Sequence, residues 1–182
     1  MCGGRGTRLD SDVEKPLFEV AGRPMVDRVF EALAESAVDD VYAVVSPHAP
    51  DTREHLDGVC PTIETPGEGY VSDLLAALDT GRVETPVLTV AADLPLLEGE
   101  VVDTVLDAAD GSTSVRVPAA LKRELGVSCD EDGAWVPTGV NVVGDDEDTV
   151  FRSHDPRLAV NVNHRRDAAV AERLLSARGE SA

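Results

Sequence analysis

Apolar residues along this chain come in two rhythms that take turns. Met25, Val26, Val29, Phe30 and Leu33 recur at helical spacing, so residues 24–36 are expected to form a helix with one apolar face. Residues 41–46 are apolar almost without a break and are followed by Pro47 and Pro50, which marks a buried strand. The exchange continues with a short helix at 50–56, a strand at 59–64, a helix at 70–79 and a strand at 86–92. A helix at 100–109 and a strand at 112–117 follow. Residues 127–136 read as a hairpin around Asp130-Glu131-Asp132-Gly133, and 140–143 as a further strand. Residues 144–157 carry no usable motif, 158–162 read as a strand, and 165–177 as a closing helix before a frayed tail at 179–182. Strands that alternate with helices specify an α/β fold, here a Rossmann-like, mostly parallel sheet flanked by helices. No repeat or linker divides the chain, so residues 1–182 are expected to form one domain.

The densest chemistry lies at the start: Cys2-Gly3-Gly4-Arg5-Gly6-Thr7-Arg8-Leu9, then Glu14-Lys15-Pro16-Leu17. Gly3, Gly4 and Gly6 free the backbone to wrap closely around a ligand. Successive N–H groups in such a loop form a concavity that holds anions. Arg5, Arg8 and Lys15 bring fixed positive charge to it, a combination that suits a polyphosphate. The spacing is neither the Walker pattern nor G-x-G-x-x-G. Lys15 stands out further because the chain has only two lysines, Lys15 and Lys122, against fourteen arginines. Arginine is a rigid fork, whereas lysine is a compact charge that fits between phosphate oxygens.

Other candidates sit where strands should end. Asp93 closes the strand at 86–92, and a carboxylate there faces the ligand crevice of an α/β sheet. It is read as the protein ligand of Mg²⁺, which takes one or two carboxylates plus phosphate oxygens and water. A turn cap before Leu94-Pro95 is its other reading. Asn161 and Asn163 alternate onto one face of their strand. Asn163 is either a second oxygen ligand to the same Mg²⁺ or the N-cap of the last helix. Gly67, Glu68 and Gly69 form a second glycine loop, expected to hold the base and ribose. Asp73, in the first turn of the next helix, complements the helix dipole. Ser46-Pro47-His48 ends a strand on the same side; His48 either touches substrate or stays solvated.

GGRGTRL followed by EKPL resembles the signature of nucleotidyltransferases, which join a nucleoside monophosphate to a phosphorylated acceptor. The order of SPHAPDT, TPGEGYVSDL, AADLPLL, PTGVNVV and VNVNHRRDAAVAERLL extends the resemblance over nearly the whole chain, to archaeal adenosylcobinamide-phosphate guanylyltransferases. That resemblance implies a nucleotidyltransferase fold, GTP as donor, adenosylcobinamide phosphate as acceptor, and pyrophosphate as second product, in cobalamin nucleotide-loop assembly. It implies the triphosphate on Gly3, Gly4, Arg5, Gly6 and Thr7, and catalysis by Lys15, Arg8 and Asp93, with Arg5 and Arg23 as further candidates. It places Gly139, within Pro137 to Val143, against nucleotide or acceptor. Molybdopterin guanylyltransferase is a related alternative, and a non-catalytic GTP-binding paralogue one from a different class. A phosphate loop of this type also needs a strand running into it. Met1 stands inside the loop, so the natural chain is expected to start upstream, with a short apolar strand in the middle of the sheet.

Charge adds one further expectation. With 35 acidic against 16 basic residues the net charge is −19, which argues against general nucleic-acid binding. It also opposes a polyanionic ligand unless salt screens it, and the Debye length falls to about 3 Å at 1 M salt. Acidic excess with scarce lysine resembles haloarchaeal cytoplasmic proteins. No apolar run approaches the ~20 residues of a membrane span, and no signal segment opens the chain. Cys2, Cys60 and Cys129 show no zinc-like pairing and are read as small, buried, reduced residues, with a reactive thiol as the other reading of Cys2 beside the loop. A cytoplasmic protein is expected; oligomeric state is not legible, and a homodimer is compatible with the sequence. The melting temperature should fall markedly when molar KCl is removed; an unchanged value would refute the halophilic reading.

Overall fold

The computed structural model describes residues 1–2, 9–145 and 147–179. From Leu9 onward the first elements are a single 3-10 turn, Lys15–Leu17, and a hairpin of β1 (Glu19–Val20) and β2 (Arg23–Pro24). Its two central residues, Ala21 and Gly22, both have positive φ, 51° and 70°, as a type I′ turn requires. Then α1 (Met25–Ala34) buries Met25, Val26, Val29, Ala32 and Leu33, the stripe that its 3.6-residue period lays on one side. β3 (Ala43–Val45) and β4 (Thr62–Glu64) pair in parallel across α2 (Pro50–Leu56). α3 (Tyr70–Asp79), β5 (Val87–Val90) and α4 (Gly99–Ala108) follow. β6 (Ser112–Pro118), α5 (Ala119–Leu125), β7 (Trp135–Val143), β8 (Asp148–Arg152) and α6 (Arg165–Gly179) complete the order.

β5, β7, β6 and β8 form one sheet in that order. β7 is antiparallel to β5 and β6, while β8 is parallel to β6, so β5, β6 and β8 share a direction and β7 alone runs against them. Met1 and Cys2 join this sheet to the β3–β4 pair. The Met1 amino group donates to Val90 O at 2.8 Å and Ala92 N–H to Met1 O at 3.3 Å, while Cys2 N–H donates to Val44 O at 2.8 Å. Bonds to residues on either side of Ala91 are the parallel-ladder pattern. Between β3 and β5, beside Met1, lies a cavity of about 420 Å³ walled by apolar side chains of α1 and α3, with Asp39, Asp40, Arg82 and Glu84 also lining it.

The main core lies between α1, α4 and the sheet, where Val29, Leu33, Val101, Val102 and Val105 meet Val90, Val115, Val117, Val136 and Val140. Each such fully buried side chain contributes about 1.5–3 kcal/mol. A second core fixes α6 through Ala168, Val170 and Ala171 against Leu9, Met25, Leu96, Val160 and Val162. Arg157 clamps the approach to this region, pairing with Asp155 at 2.6 Å, Glu98 at 2.5 Å and Glu100. The Asp155 hydrogen bond holds its guanidinium above the ordinary range, and Arg157 in turn holds the Asp155 carboxyl down against the opposing effect of burial. No helix among the described residues is long and apolar enough to cross a membrane.

Three expectations are corrected. The hairpin at 127–136 is absent: residues 119–125 form α5, closed by Gly126 in the left-handed region at φ 84°, and β7 pairs with β6 instead. Residues 144–157, read as featureless, contain β8. Residues 158–162 are no strand; a 3-10 turn, Pro156–Leu158, leads into an irregular stretch buried on every side. Continuous apolarity reports burial, and burial alone does not choose a strand.

The ladder between β6 and β7 breaks between Ser114 and Arg116, opposite Thr138, Gly139 and Val140. Gly139 has φ +83°, and a Cβ there would stand 2.8 Å from the Cβ of Ala91. Gly139→Ala should therefore destabilise the fold by about 2 kcal/mol or more, read as a lowered urea midpoint.

Candidate active site

Glu14 explains how Lys15 is placed. α2 has no side-chain cap of its own, and Glu14 supplies one: its carboxylate accepts from Asp51 N at 2.9 Å, Thr52 N at 2.7 Å and Thr52 Oγ1 at 2.5 Å. A carboxylate on the first turn satisfies orphan N–H groups and the helix dipole together. With its neighbour so fastened and Pro16 fixing the turn, Lys15 reaches inward. Its Nζ donates to Asp93 Oδ2 at 2.5 Å and to Asn163 Oδ1 at 2.8 Å.

Asp93 stands just beyond β5, as the sequence implied. Its backbone oxygen accepts Val162 N–H at 3.0 Å, which stitches the irregular 160s segment to the strand end. Its Oδ1 accepts from Asn161 Nδ2 at 3.1 Å. The same Nδ2 donates to Thr138 O at 2.8 Å, the carbonyl that the broken ladder turns inward. Asn161 Oδ1 in turn accepts from Lys122 Nζ at 3.0 Å.

Asn163 has its side chain on Lys15, and the turn is closed by Asp167. That carboxylate, fully buried, accepts from Asn163 N at 3.0 Å, His164 N at 2.8 Å, and Ser128 N and Oγ, both at 2.7 Å. Burial alone would raise its pKa, but these donors hold it below the usual carboxylate range.

The second glycine loop is built separately. Asp73 accepts from Gly67 N at 2.8 Å, so it anchors the loop rather than only complementing the helix dipole. Gly67, at φ +75°, presses on Ser46 and His48, where a Cβ would lie 2.9 Å from each. Glu68 and Gly69 are exposed. Tyr70 ties this loop to the sheet, its OH 2.7 Å from Thr89 Oγ1 and accepting from Asn141 Nδ2 at 3.2 Å. Gly139 finds Ala91 and the Asn161 amide beside it, so its lack of a side chain is used by the fold itself.

The structure thus brings Lys15, Asp93 and Asn163 together and sets Gly67, Glu68 and Gly69 on a loop that Tyr70 links to β5 and β7. Gly3, Gly4, Arg5, Gly6, Thr7 and Arg8 lie outside the described residues, between Cys2 in the sheet and Leu9 in the core. Arg23 is engaged elsewhere, pairing with Glu31 at 2.6 Å. The three cysteines are free; Cys2 is buried as expected, whereas Cys60 and Cys129 are only half-buried, and burial pushes the Cys60 thiol up. Sequence reasoning missed Lys122, Asp167, Glu14 and Thr138. Each carried a signal that was given no role: Lys122 is the chain's second lysine, and Glu14, Thr138 and Asp167 stand inside EKPL, PTGVNVV and VNVNHRRDAAVAERLL. Two ammonium groups and one carboxylate make this bonded side-chain network locally cationic in a chain of net charge −19, which suits a polyanion.

A family profile described as the MobA-like NTP transferase domain matches residues 1–180. The adenosylcobinamide-phosphate guanylyltransferase of Methanocaldococcus jannaschii is 30% identical over 196 residues, covering 98% of this chain and 97% of that protein. The bifunctional protein GlmU of Maricaulis maris is 30% identical over 186 residues, 99% of this chain but 40% of GlmU. Among solved structures, CMP:2-keto-3-deoxy-manno-octonic acid synthetase complexed with CTP shares the fold with a TM-score of 0.66, covering 92% of this chain and 95% of that one at 14% identity. A hypothetical transferase from Thermus thermophilus has a TM-score of 0.56, covering 79% and 63% at 24% identity.

Asp167→Asn keeps the shape and loses acceptor capacity, so it should cost about 1–3 kcal/mol in urea unfolding at neutral pH. The folded pKa lies below the unfolded value of about 3.9, so the charge stabilises fully above that pH and ceases to as pH falls through the folded value. The gap between wild type and variant should therefore narrow in acid.

Proposed function

The chain belongs to the MobA-like NTP transferase family, and from that premise we propose that it transfers GMP from GTP to adenosylcobinamide phosphate, giving adenosylcobinamide-GDP and pyrophosphate. The observation that carries the reading is the Lys15 ammonium held between Asp93 and Asn163 at 2.5 and 2.8 Å. The near full-length similarity to the Methanocaldococcus enzyme supports the guanine donor and the corrinoid acceptor.

A phosphate monoester has a second pKa near 6, so the acceptor is already ionised at pH 7 and needs no general base. Its oxygen attacks the α-phosphorus in line; the new P–O bond forms as the bond to the bridging oxygen breaks, and pyrophosphate leaves with the electron pair. Positioning and charge stabilisation then carry the rate. Lys15 stabilises charge on the α-phosphate. Arg8 and the loop of Gly3, Gly4, Arg5, Gly6 and Thr7 hold the departing pyrophosphate. Gly67, Glu68 and Gly69 frame base and ribose, and Gly139 lines the site beside Asn161. Two oxygens from separate segments already converge on one cation, Lys15 Nζ, so Asp93 and Asn163 fit Mg²⁺ as its protein ligands. When bound, the ion neutralises phosphate charge. Free thiols fit a reducing cytoplasm, and the acidic composition a saline one.

Pyrophosphate release at high KCl with Mg²⁺ and GTP should depend on adenosylcobinamide phosphate. Release that needs molybdopterin instead would replace the acceptor, and GTP binding with no release would leave a binding module. Lys15→Ala should lower turnover about 10²–10³-fold, or roughly 2.7–4 kcal/mol by analogy with loss of an oxyanion donor; near-full turnover would refute its role.

A further inference from the structure

Lys122 has no role in the chemistry described so far, yet it is buried in the same network. It lies on α5 and is 5% exposed. The one hydrogen bond described for its ammonium goes to a neutral amide oxygen, Asn161 Oδ1, at 3.0 Å. Withdrawing an ammonium from water costs several kcal/mol, and a neutral partner does not neutralise it. If α5 needed only to pack here, a methionine or leucine would do so without that cost.

The consequence of the charge lies in the amide it touches. A carboxamide has a donor side and an acceptor side, and an ammonium can only donate. Lys122 therefore faces Asn161 Oδ1, and Nδ2 is turned to two acceptors, Asp93 Oδ1 at 3.1 Å and Thr138 O at 2.8 Å. With Oδ1 of Asp93 tied to Asn161, Oδ2 is the oxygen presented to the cation position shared with Asn163. Without Lys122, Asn161 Oδ1 becomes a buried acceptor with no partner among these residues, and the amide gains a reason to rotate or withdraw.

We propose that Lys122 is a positioning residue that, acting through Asn161, aims the Asp93 carboxylate at the cation position. The proposal rests on the reading of Asp93 and Asn163 as Mg²⁺ ligands.

The test uses Mn²⁺ as the probe, its binding followed by electron paramagnetic resonance in high KCl with GTP present, beside thermal melting of each protein. Lys122→Met should melt close to wild type, because the gain from losing a buried charge is offset by the orphaned Asn161 Oδ1, and should bind Mn²⁺ about 10–100-fold more weakly. Lys122→Arg, which keeps donors and charge, should recover part of the loss. In an Asn161→Ala background, Lys122→Met should cost little more, since the intermediary is already missing. Unchanged Mn²⁺ affinity in a folded Lys122→Met would overturn the proposal. So would a lowered melting temperature with lost binding that Lys122→Arg does not restore, the signature of a packing role. Should Lys122→Met not fold, Lys122→Gln carries the test: a smaller loss is expected, and wild-type affinity would overturn it. Failure of the wild type itself to bind Mn²⁺ would instead remove the metal reading, and the proposal with it.

Discussion

One ammonium held between two oxygens is the constraint on which the site is built. Lys15 meets Asp93 and Asn163, which lie 78 and 148 positions away along the chain. Three segments must converge for that to happen. Glu14 ties the first to α2, β5 delivers the second, and the Val162 to Asp93 backbone bond ties the third to the second. The pair itself is mostly shielded, its side chains 19% and 14% exposed. For such a pair desolvation offsets much of the Coulombic gain, so stability is a poor reason for it. The proposed role in nucleotidyl transfer supplies a better one.

The division of labour between the cations supports this. Several of the described arginines serve the scaffold: Arg157 gathers three carboxylates, Arg28 grips Val20 O, and Arg82 grips Thr62 O. Their planar fork suits fixed pairing with oxygens. The two lysines meet instead on Asn161 and Asn163, either side of Val162. A compact charge on a flexible stem can pass from one oxygen to another, which a site that exchanges its anions requires.

Local signals made much of this legible. α2 and α3 stand where periodicity and Pro50 placed them, and Lys15, Asp93 and Asn163, chosen from motif resemblance, the scarcity of lysine and their places at strand ends, do meet. What failed was non-local. α5 begins straight after Pro118 at a strand end, and seven residues of mixed polarity carry too few periods to announce a helix. Leu158 to Val162 looked like a strand because it is a short Val-rich run, yet the sheet has no place for it. Missing α5 also hid Lys122, since a residue with no element has no face. Asp73 and Asp167 were unreadable in another way: their partners, Gly67 and Ser128, are chosen by chain folding, and an Asp in a first turn looks the same whether it serves a dipole or a loop.

The accuracy of such a site comes from backbone more than from side-chain choice. Asn161 cannot orient Asp93 unless Thr138 O is aimed at it, and that carbonyl is aimed by the interruption of the β6–β7 ladder. The interruption in turn needs Gly139, whose positive φ and close approach to Ala91 exclude any side chain. Thr138 closes the unit by donating its hydroxyl to Val115 O at 3.1 Å and accepting Val140 N–H at 3.1 Å, so the broken register leaves its groups paired. A bulge of this kind re-aims polar groups where a regular ladder would pair them within the sheet. The requirement for glycine at 139 is thus conveyed to the carboxylate through a carbonyl and an amide, without Gly139 having to touch a ligand.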